Sequence, residues 1–373
     1  MKIAVFYDIP FSGAKRLVLE QVRGLREMGN SVDVYTTDAA KDIFDPLVVA
    51  NNGFVYEFAP SSLNLPILGR LKSDFIDTFC LLKNVHKKIA RDIDAKGYDI
   101  VLVNIDTHTQ APFILRYLKT KSVYYCLEPL RNAYEYSLRI QDGISFLNRF
   151  YENLNRWIRK NIDRKNARSC SQILALSLFG RERIIGAYDL YAKVLGLGAN
   201  ESFFKPQLSK KKNQVLFIAA KDSLFGYDLA KEAVNLIPKN IRPELKVVSW
   251  KKDNSERMTD EEVVELYNQS IATLSLSKFD TSGLVPLESM ACAVPVIALN
   301  VGGYREIVVN GQNGFLVEFD AKEIADRLKF LIKNSDKAKD MGRKGRKMIE
   351  ENWTWGRQIR ELNTILAQTV ENL

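Results

Sequence analysis

One stretch near residue 280 constrains the fold more than any other part of the chain. A short apolar run from Ile271 to Leu276 predicts a buried strand, and a second run from Val294 to Leu299 predicts the next one. Between them lie a glycine-containing loop and a helix that the pattern predicts from Leu284 to Cys292, with Pro286 tolerated in its first turn. This order of strand, loop, helix and strand is typical of a parallel α/β sheet.

The loop at the start of this helix has the chemistry of a phosphate site. Gly283, Leu284 and Val285 place backbone N–H groups at the positive end of the helix dipole, which favours an anion. Two carboxylates flank these groups, Asp280 on the loop and Glu288 on the helix behind it. A phosphate cradle between two carboxylates suits a ligand that carries both a phosphate and hydroxyl groups.

This region resembles the signature of the retaining glycosyltransferases of family 4. The signature has two acids, a small-residue helix, a Pro-Val-Ile strand and a Gly-Gly turn. In this chain it reads Asp280, Glu288, Met290-Ala291-Cys292, Pro295-Val296-Ile297, Gly302-Gly303, Glu306-Ile307-Val308 and Gly314-Phe315-Leu316-Val317. The first acid is usually Glu in the family and is one methylene shorter here. The resemblance implies an α/β protein of the GT-B fold, in which two Rossmann-like, doubly wound domains face each other across a cleft.

The resemblance also implies roles for the residues of this stretch. Glu288 would accept hydrogen bonds from the ribose hydroxyls of a nucleotide diphosphate sugar, and Asp280 would meet hydroxyls of the donor sugar. The amides of residues 283–285 would hold the diphosphate. From the residues alone, other interpretations stay open: Glu288 as an acid that opposes the helix dipole, Asp280 as a loop cap, and the amides as a plain tight turn.

Two cations that the family usually carries are missing from this chain. A Gly-Arg pair after the first strand of the second domain corresponds here to Ala219-Ala220, and a later Lys-Gly pair corresponds to Phe225-Gly226. Each charge-assisted contact contributes roughly 1.5–3 kcal/mol, so losing two would weaken donor binding by orders of magnitude. The adjacent Lys221 either replaces one of them or is a solvated lysine. This departure leaves open a non-catalytic GT-B protein that binds a glycan or a partner.

The rest of the chain alternates apolar strands with amphipathic helices. We predict strands at 2–7, 31–36, 54–58, 99–104, 122–126, 172–176, 215–218 and 245–249, and helices at 16–28 and about 74–92. A capping box of Thr259 and Glu262 opens a further helix. Such alternation is typical of parallel, doubly wound sheets, whose ligands bind at the carboxyl ends of the strands.

Three groups at predicted strand ends in the first half are candidates for the site. The loop that contains Gly13 permits close backbone approach to a ligand, and in the family it borders the donor phosphate and the acceptor. His108 is either a polar group near the acceptor or the transferred sugar, or a structural histidine. Glu128 and Arg131 either face the acceptor or form a surface ion pair.

Length and composition indicate the number of domains, the compartment and the kinds of metal site that the chain can form. The 373 residues suggest two domains: 1–195 on the acceptor side, 196–355 for the nucleotide-sugar, and a C-terminal helix at 356–373 that packs back on the first domain. The four cysteines form no CxxC pair and no apolar run reaches the ~18 residues of a membrane span, so we expect a cytoplasmic protein. A histidine-rich metal site is excluded by the count of two histidines, of which we expect His86, in a lysine-rich helix, to be solvated.

The net charge of +9 favours an anionic partner. Basic residues concentrate between Phe146 and Arg168, around an apolar stripe formed by Leu147, Phe150, Leu154, Trp157 and Ile158. We interpret this segment as an amphipathic helix on the first domain with a solvated basic face. The alternative is docking on anionic lipid at the inner face of the membrane, which would suit a lipid-linked acceptor. A nucleic-acid partner is not supported, because no recognition motif is present.

The resemblance therefore implies a retaining, metal-independent glycosyltransferase with Asp280, Glu288 and His108 at its catalytic centre. Its donor would be a nucleotide diphosphate sugar, with no further cofactor, and its acceptor a surface glycan or glycolipid. Catalysis would rest on positioning and on stabilisation of the leaving diphosphate.

Overall fold

The computed structural model describes all residues except 11, 38–43, 61–71, 136–144, 222, 250–257 and 372–373. The chain divides into two compact units. Unit 1 comprises Met1–Leu176, Gly180–Leu195 and Ile359–Leu373, and unit 2 comprises Ser177–Phe179 and Gly196–Gln358. Residues 372 and 373, the end of the predicted C-terminal helix, lie outside the described residues.

Unit 1 is built on a seven-stranded parallel sheet. Its strands are β1 (Lys2–Asp8), β2 (Ser31–Thr36), β3 (Asn52–Val55), β4 (Ile100–Asp106), β5 (Ser122–Cys126), β6 (Gln172–Ala175) and β7 (Lys193–Val194). Their order in the sheet is β3-β2-β1-β4-β5-β6-β7, so the order reverses between β1 and β4. At such a reversal the loops after the two strands diverge, and a ligand crevice opens at their carboxyl ends.

Unit 2 has a five-stranded parallel sheet of the same kind. Its strands are β8 (Gln214–Ile218), β9 (Glu244–Val248), β10 (Ala272–Ser275), β11 (Val296–Leu299) and β12 (Gly314–Val317). The order is β12-β11-β10-β8-β9, which reverses between β8 and β10. The carboxyl ends of β8 and β10 therefore mark the place where a ligand of unit 2 is expected.

Helices connect the strands of both sheets. In chain order they are α1 (Gly13–Glu27), α2 (Lys83–Ala95, after a π-helical segment at Lys72–Leu82), α3 (Arg131–Tyr134), α4 (Phe146–Ala167), α5 (Leu178–Tyr188), α6 (Tyr227–Asn235), α7 (Asp260–Gln269), α8 (Leu284–Ala291), α9 (Tyr304–Ile307), α10 (Ala321–Lys333), α11 (Ser335–Asn352) and α12 (Trp355–Glu371). The predicted α/β class with two doubly wound parallel sheets is confirmed.

Local sequence determines where helices and strands begin. The predicted capping box of α7 is confirmed, because the Thr259 hydroxyl accepts from the Glu262 N–H at 3.3 Å and the Glu262 carboxylate accepts from the Thr259 N–H at 2.7 Å. Strand β3 begins two residues before the predicted start at 54. Its entry is fixed by Asn52, whose side-chain amide donates to Asp33 of β2 at 2.8 Å.

The expectation that His86 is solvated is wrong. The side chain lies on the inner face of α2 and is completely buried, with its ring edge-on to Phe6 at 5.0 Å and Phe113 6.3 Å away. Burial among these rings lowers the pKa of His86 to about 4, so the imidazole is neutral in the folded chain. The lysines that flank it in sequence occupy other faces of the same helix.

Candidate functional site

The predicted phosphate loop lies at the reversal point of the unit 2 sheet. Residues 276–283 leave the carboxyl end of β10, and residues 219–226 leave that of the neighbouring strand β8. The two loops are in direct contact. A Cβ added to Gly226, whose φ is +82°, would lie 2.4 Å from the carbonyl oxygen of Leu276. Only glycine fits here, both for its backbone conformation and for the close approach.

The loop that carries Asp280 is also held from the other side, by the Gly-Gly turn. The N–H of Gly303 donates to the Asp280 carbonyl at 3.2 Å. A Cβ on Gly302 would lie 2.3 Å from that same oxygen, and a Cβ on Gly303 would lie 2.0 Å from the carbonyl oxygen of Thr281. These two glycines therefore let two backbone segments meet where a side chain would separate them.

The Asp280 carboxylate is oriented by a buried tyrosine. Tyr304, at the start of α9, donates its hydroxyl to Asp280 Oδ2 at 2.9 Å. The Ser282 N–H donates to the other oxygen at 3.3 Å. Burial, followed by the Asp280 charge, raises the pKa of Tyr304 well above its usual value, so the phenol remains a donor. The acid lies beside the amides, since a Cβ on Gly283 would be 3.3 Å from Asp280 Oδ2.

Glu288 has a tyrosine partner of its own. Glu288 is only 7% exposed, and the Tyr267 hydroxyl of α7 donates to Glu288 Oε2 at 3.1 Å. The helix that carries Glu288 is fixed on the sheet by Ser289, whose hydroxyl donates to Thr273 of β10 at 2.8 Å. Both acids of the predicted site are therefore held by buried phenols, and the sequence pattern had indicated neither tyrosine.

The amides at the start of α8 are available to a ligand. Within the described residues, the N–H groups of Gly283, Leu284 and Val285 donate to no other group. Leu284 and Val285 are half-buried and Pro286 has no N–H, so the orphan donors of this helix end are concentrated in three consecutive residues. With the dipole of α8 behind them, these groups can bind a phosphate oxygen.

The β8 loop places neutral residues where the family carries cations. Ala220 and Lys221 are exposed just after the end of β8, and Phe225 precedes Gly226 at the start of α6. Lys221 is thus at the correct edge of the sheet, with a solvated side chain.

A further motif acid has a role that its sequence position did not indicate. Glu306 of α9 accepts from the backbone N–H groups of Leu178 and Phe179, at 2.9 and 3.1 Å. Its carboxylate thereby satisfies two orphan donors at the start of α5.

In unit 1, His108 lies at the carboxyl end of β4, at the reversal point of that sheet. Its loop is rigidly built. Asp106 Oδ1 accepts from the His108 N–H at 2.7 Å and from the Thr109 N–H at 2.5 Å, and Arg159 donates to the His108 carbonyl at 2.9 Å. The ring is half-buried and packs edge-on against Phe58 at 5.1 Å.

The remaining candidates of unit 1 lie on the same sheet edge. Gly13 is exposed at the first position of α1, next to Ser12, whose hydroxyl accepts from the Lys15 N–H at 3.4 Å. Glu128 and Arg131 follow β5 and pair with each other at 2.5 Å. Burial raises the pKa of Glu128, and the charge of Arg131 offsets only part of this shift.

Two further observations concern metals and membranes. Among the described residues, no cluster of three or more His, Cys, Asp or Glu side chains has the arrangement of a metal site. No helix that they form combines the length and the apolar character needed to cross a bilayer.

Comparison with known proteins finds a family similarity within unit 2. Residues 255–348 match the model described as glycosyl transferases group 1. The chain is 36% identical over 104 residues to the N-acetyl-alpha-D-glucosaminyl L-malate synthase of Bacillus anthracis, which is 28% of this chain and 27% of that protein. It is 32% identical over 111 residues to the capsular polysaccharide biosynthesis glycosyltransferase CapM of Staphylococcus aureus, 28% and 29% of the two chains. The chain therefore matches less than a third of the length of either relative.

The fold is shared over the full length. The crystal structure of Anabaena HepE in complex with UDP-glucose superposes with a TM-score of 0.70, at 16% sequence identity and with 100% of both chains covered. At this identity the likeness establishes the fold alone. With the ordered motif of unit 2, the match over residues 255–348 makes that segment similar to the glycosyl transferases group 1, and the structural likeness shows that the chain has the GT-B fold.

Proposed function

We propose that the protein is a glycosyltransferase that moves a sugar from a nucleoside diphosphate sugar to a hydroxyl acceptor, with retention at the anomeric carbon and without a metal ion. One observation carries the proposal. Two carboxylates, each of which accepts a hydrogen bond from a buried tyrosine, flank three backbone N–H groups at the positive end of α8. Among the described residues these N–H groups donate to no other group. A ligand with a sugar, a diphosphate and a ribose would satisfy all of these groups at once.

Each part of the site has a task in this proposal. Glu288 accepts from the ribose hydroxyls, and Asp280 accepts from hydroxyls of the donor sugar. The amides of residues 283–285 and the dipole of α8 stabilise the charge that develops on the leaving diphosphate, which is where a protein group lowers the barrier most. Lys221, on the adjacent loop, supplies a cation for the phosphates.

We assign the acceptor to unit 1, through His108, Glu128 and Arg131, with Gly13 at the edge of the α1 loop. The acceptor class is a surface polysaccharide or glycolipid. Support comes from the name of the Staphylococcus aureus relative, which acts in capsular polysaccharide biosynthesis. The donor class has similar support, because the structural neighbour HepE binds UDP-glucose.

Thermal unfolding with a panel of nucleoside diphosphates tests donor binding. A ligand at about 100 times its dissociation constant stabilises the folded state by about 2.7 kcal/mol, a shift of several degrees. We expect one nucleotide to give this shift in the wild type and in Glu232→Gln, an exposed control on α6. We expect Glu288→Gln, which keeps the volume and an acceptor for Tyr267, to lose most of it.

A second candidate is favoured by one specific observation. Ala220 and Phe225 stand where the family has an Arg and a Lys, which suits a non-catalytic GT-B protein that binds a glycan or a partner. No shift with any nucleotide would support this candidate and contradict ours. If a nucleotide binds, two measurements on the reaction test the finer proposal: the anomeric configuration of the product by NMR, where inversion refutes retention, and turnover in excess EDTA, where a loss refutes metal independence.

A further inference from the structure

Helix α4 exposes a stripe of large apolar side chains. Phe146, Leu147, Phe150 and Trp157 are 81%, 77%, 62% and 65% exposed, and Leu154 is 40% exposed. At ~100° per residue these five positions fall within a sector of about 100° on one face of the helix. An amphipathic helix of a globular domain normally buries such a sector against its own core, but no residue that the structure describes gives this face that cover.

The opposite face of α4 is the one that packs on unit 1. Tyr151 and Arg159 both contact Asp74, at 2.6 Å and 2.7 Å. One helical turn beyond Arg159, Asp163 is completely buried and accepts from the Tyr188 hydroxyl at 2.8 Å. The helix is therefore anchored by its polar side chains, and the five apolar side chains of the stripe face solvent. Residues 146–167 form the predicted amphipathic helix of unit 1, with Arg149, Lys160 and Arg164 exposed, and the apolar stripe faces solvent as well.

Positive charge surrounds the exposed stripe. Residues 146–167 contain six basic residues and two acidic ones, Glu152 and the buried Asp163. Arg164 and Lys165 are exposed and continue the stripe at its C-terminal end, and Arg149 and Lys160 are exposed along one flank. An apolar stripe that contains Phe and Trp and is bordered by Arg and Lys has the composition of a helix that lies in a membrane interface.

We propose that α4 is a docking helix that lies flat on an anionic phospholipid bilayer, with the stripe among the acyl chains and the basic rim at the head groups. A protein partner fits less well, because the centres of protein interfaces are depleted in lysine, whereas here basic side chains follow the stripe from end to end. The proposal goes beyond the transfer reaction and does not depend on it, because lipid binding is measured without nucleotide or acceptor.

Vesicle co-sedimentation of the intact chain tests the proposal. We expect binding to phosphatidylcholine vesicles that contain about 30% phosphatidylglycerol, and much weaker binding to pure phosphatidylcholine. Phe150→Ser/Trp157→Ser should lower the partition coefficient by about tenfold or more. Arg164→Gln/Lys165→Gln should lower it by about fivefold for each charge removed. The matched control is Val48→Ser/Leu208→Ser, which removes two apolar side chains that are 80% and 111% exposed elsewhere and should leave binding unchanged.

The fluorescence of Trp157 reports which surface meets the lipid. Brominated acyl chains should quench it in the wild type, and Trp157→Phe should bind as tightly while losing the quenched component. Vesicle binding that is unchanged by the α4 substitutions would overturn the proposal. A wild-type chain that unfolds normally on heating but does not bind anionic vesicles would also overturn it. A wild-type dimer that Phe150→Ser/Trp157→Ser converts to a monomer would also overturn it, since the stripe would then be an interface between copies of this chain.

Discussion

At the scale of single residues, the two tyrosines that hold the acids predict separate effects on the proposed reaction. Tyr304→Phe removes the donor from Asp280, on the sugar side, and should lower kcat by about tenfold with nucleoside diphosphate affinity unchanged. Tyr267→Phe removes the donor from Glu288, on the ribose side, and should raise the nucleotide Kd by about tenfold. A hydrogen bond to an ionised group is worth about 1.5–3 kcal/mol, which sets this scale. Calorimetry and product formation measure the two quantities.

The pair of variants is its own control, because each removes one phenolic oxygen from a buried ring. If both variants change the same parameter, the division of labour between Asp280 and Glu288 is wrong. If either variant loses its cooperative unfolding transition, its kinetics do not report on the acid. The acid itself, Asp280 or Glu288, is then replaced by Ser, and the same kcat and Kd are measured.

His86 predicts how the stability of the chain depends on pH. Its folded pKa of about 4 lies below the ordinary value of 6.5, so the unfolded chain takes up the proton first. The free energy of unfolding should therefore fall as the pH drops from 6.5 to 4, by at most about 3 kcal/mol from this group. His86→Leu should remove this fall. The check is chemical denaturation of both chains at several pH values.

The comparison with the variant is needed because Asp163 acts in the opposite sense. Burial raises the pKa of Asp163 to about 7, so the folded chain binds this proton at a higher pH than the unfolded chain does. The contribution of Asp163 to the free energy of unfolding therefore rises as the pH falls below 7. Only the difference between the wild type and His86→Leu isolates the histidine. A difference that does not change with pH would mean that His86 is not the neutral, buried group described above.

Residue types in a pattern were enough to predict where the acids lie, because Asp280, Gly283 and Glu288 are close in sequence and one loop and one helix place them together. The tyrosines that hold them were not predictable. Tyr267 and Tyr304 come from different helices, and a phenol gives no periodic signal that distinguishes a core ring from a donor. For the same reason the pattern could not show that Glu306 would satisfy the start of α5.

At the scale of elements, substitution of Gly226 measures how much the contact between the β8 and β10 loops contributes to the free energy of unfolding. Gly226→Ala forces a Cβ to 2.4 Å from the Leu276 oxygen and keeps a positive φ. The matched control is Gly311→Ala in the same unit, at φ +77° with nothing within 4 Å of the added Cβ. The control should cost about 1 kcal/mol for its backbone alone, and Gly226→Ala about 1–3 kcal/mol more for the overlap. Equal losses in denaturant unfolding would show that the loops separate freely.

Strands were predicted well because a strand buried on both faces needs a continuous apolar run, and β1, β4, β8 and β11 each have one. For the helices, the sequence pattern predicted the bounds and the periodicity, but not what packs against the apolar face. The stripe of α4 was visible in the sequence, yet whether a core or solvent meets it depends on where the polar anchors of the same helix bind. Here Tyr151 and Arg159 bind Asp74, and this turns the apolar face outward.

At the scale of the whole molecule, the two proposed ligands belong to different units, and hydrogen exchange on the intact chain can separate them. A nucleoside diphosphate should slow exchange at the start of α8, by about a hundredfold at 100 times its Kd, because amides 283–285 have no acceptor among the described residues until a phosphate binds. Anionic vesicles should slow exchange in α4 and leave α8 unchanged. Both ligands together should give the sum of the two patterns. Protection of α4 by the nucleotide alone, without vesicles, would mean that donor binding and lipid docking are coupled, and the two sites could no longer be treated as independent parts of the fold.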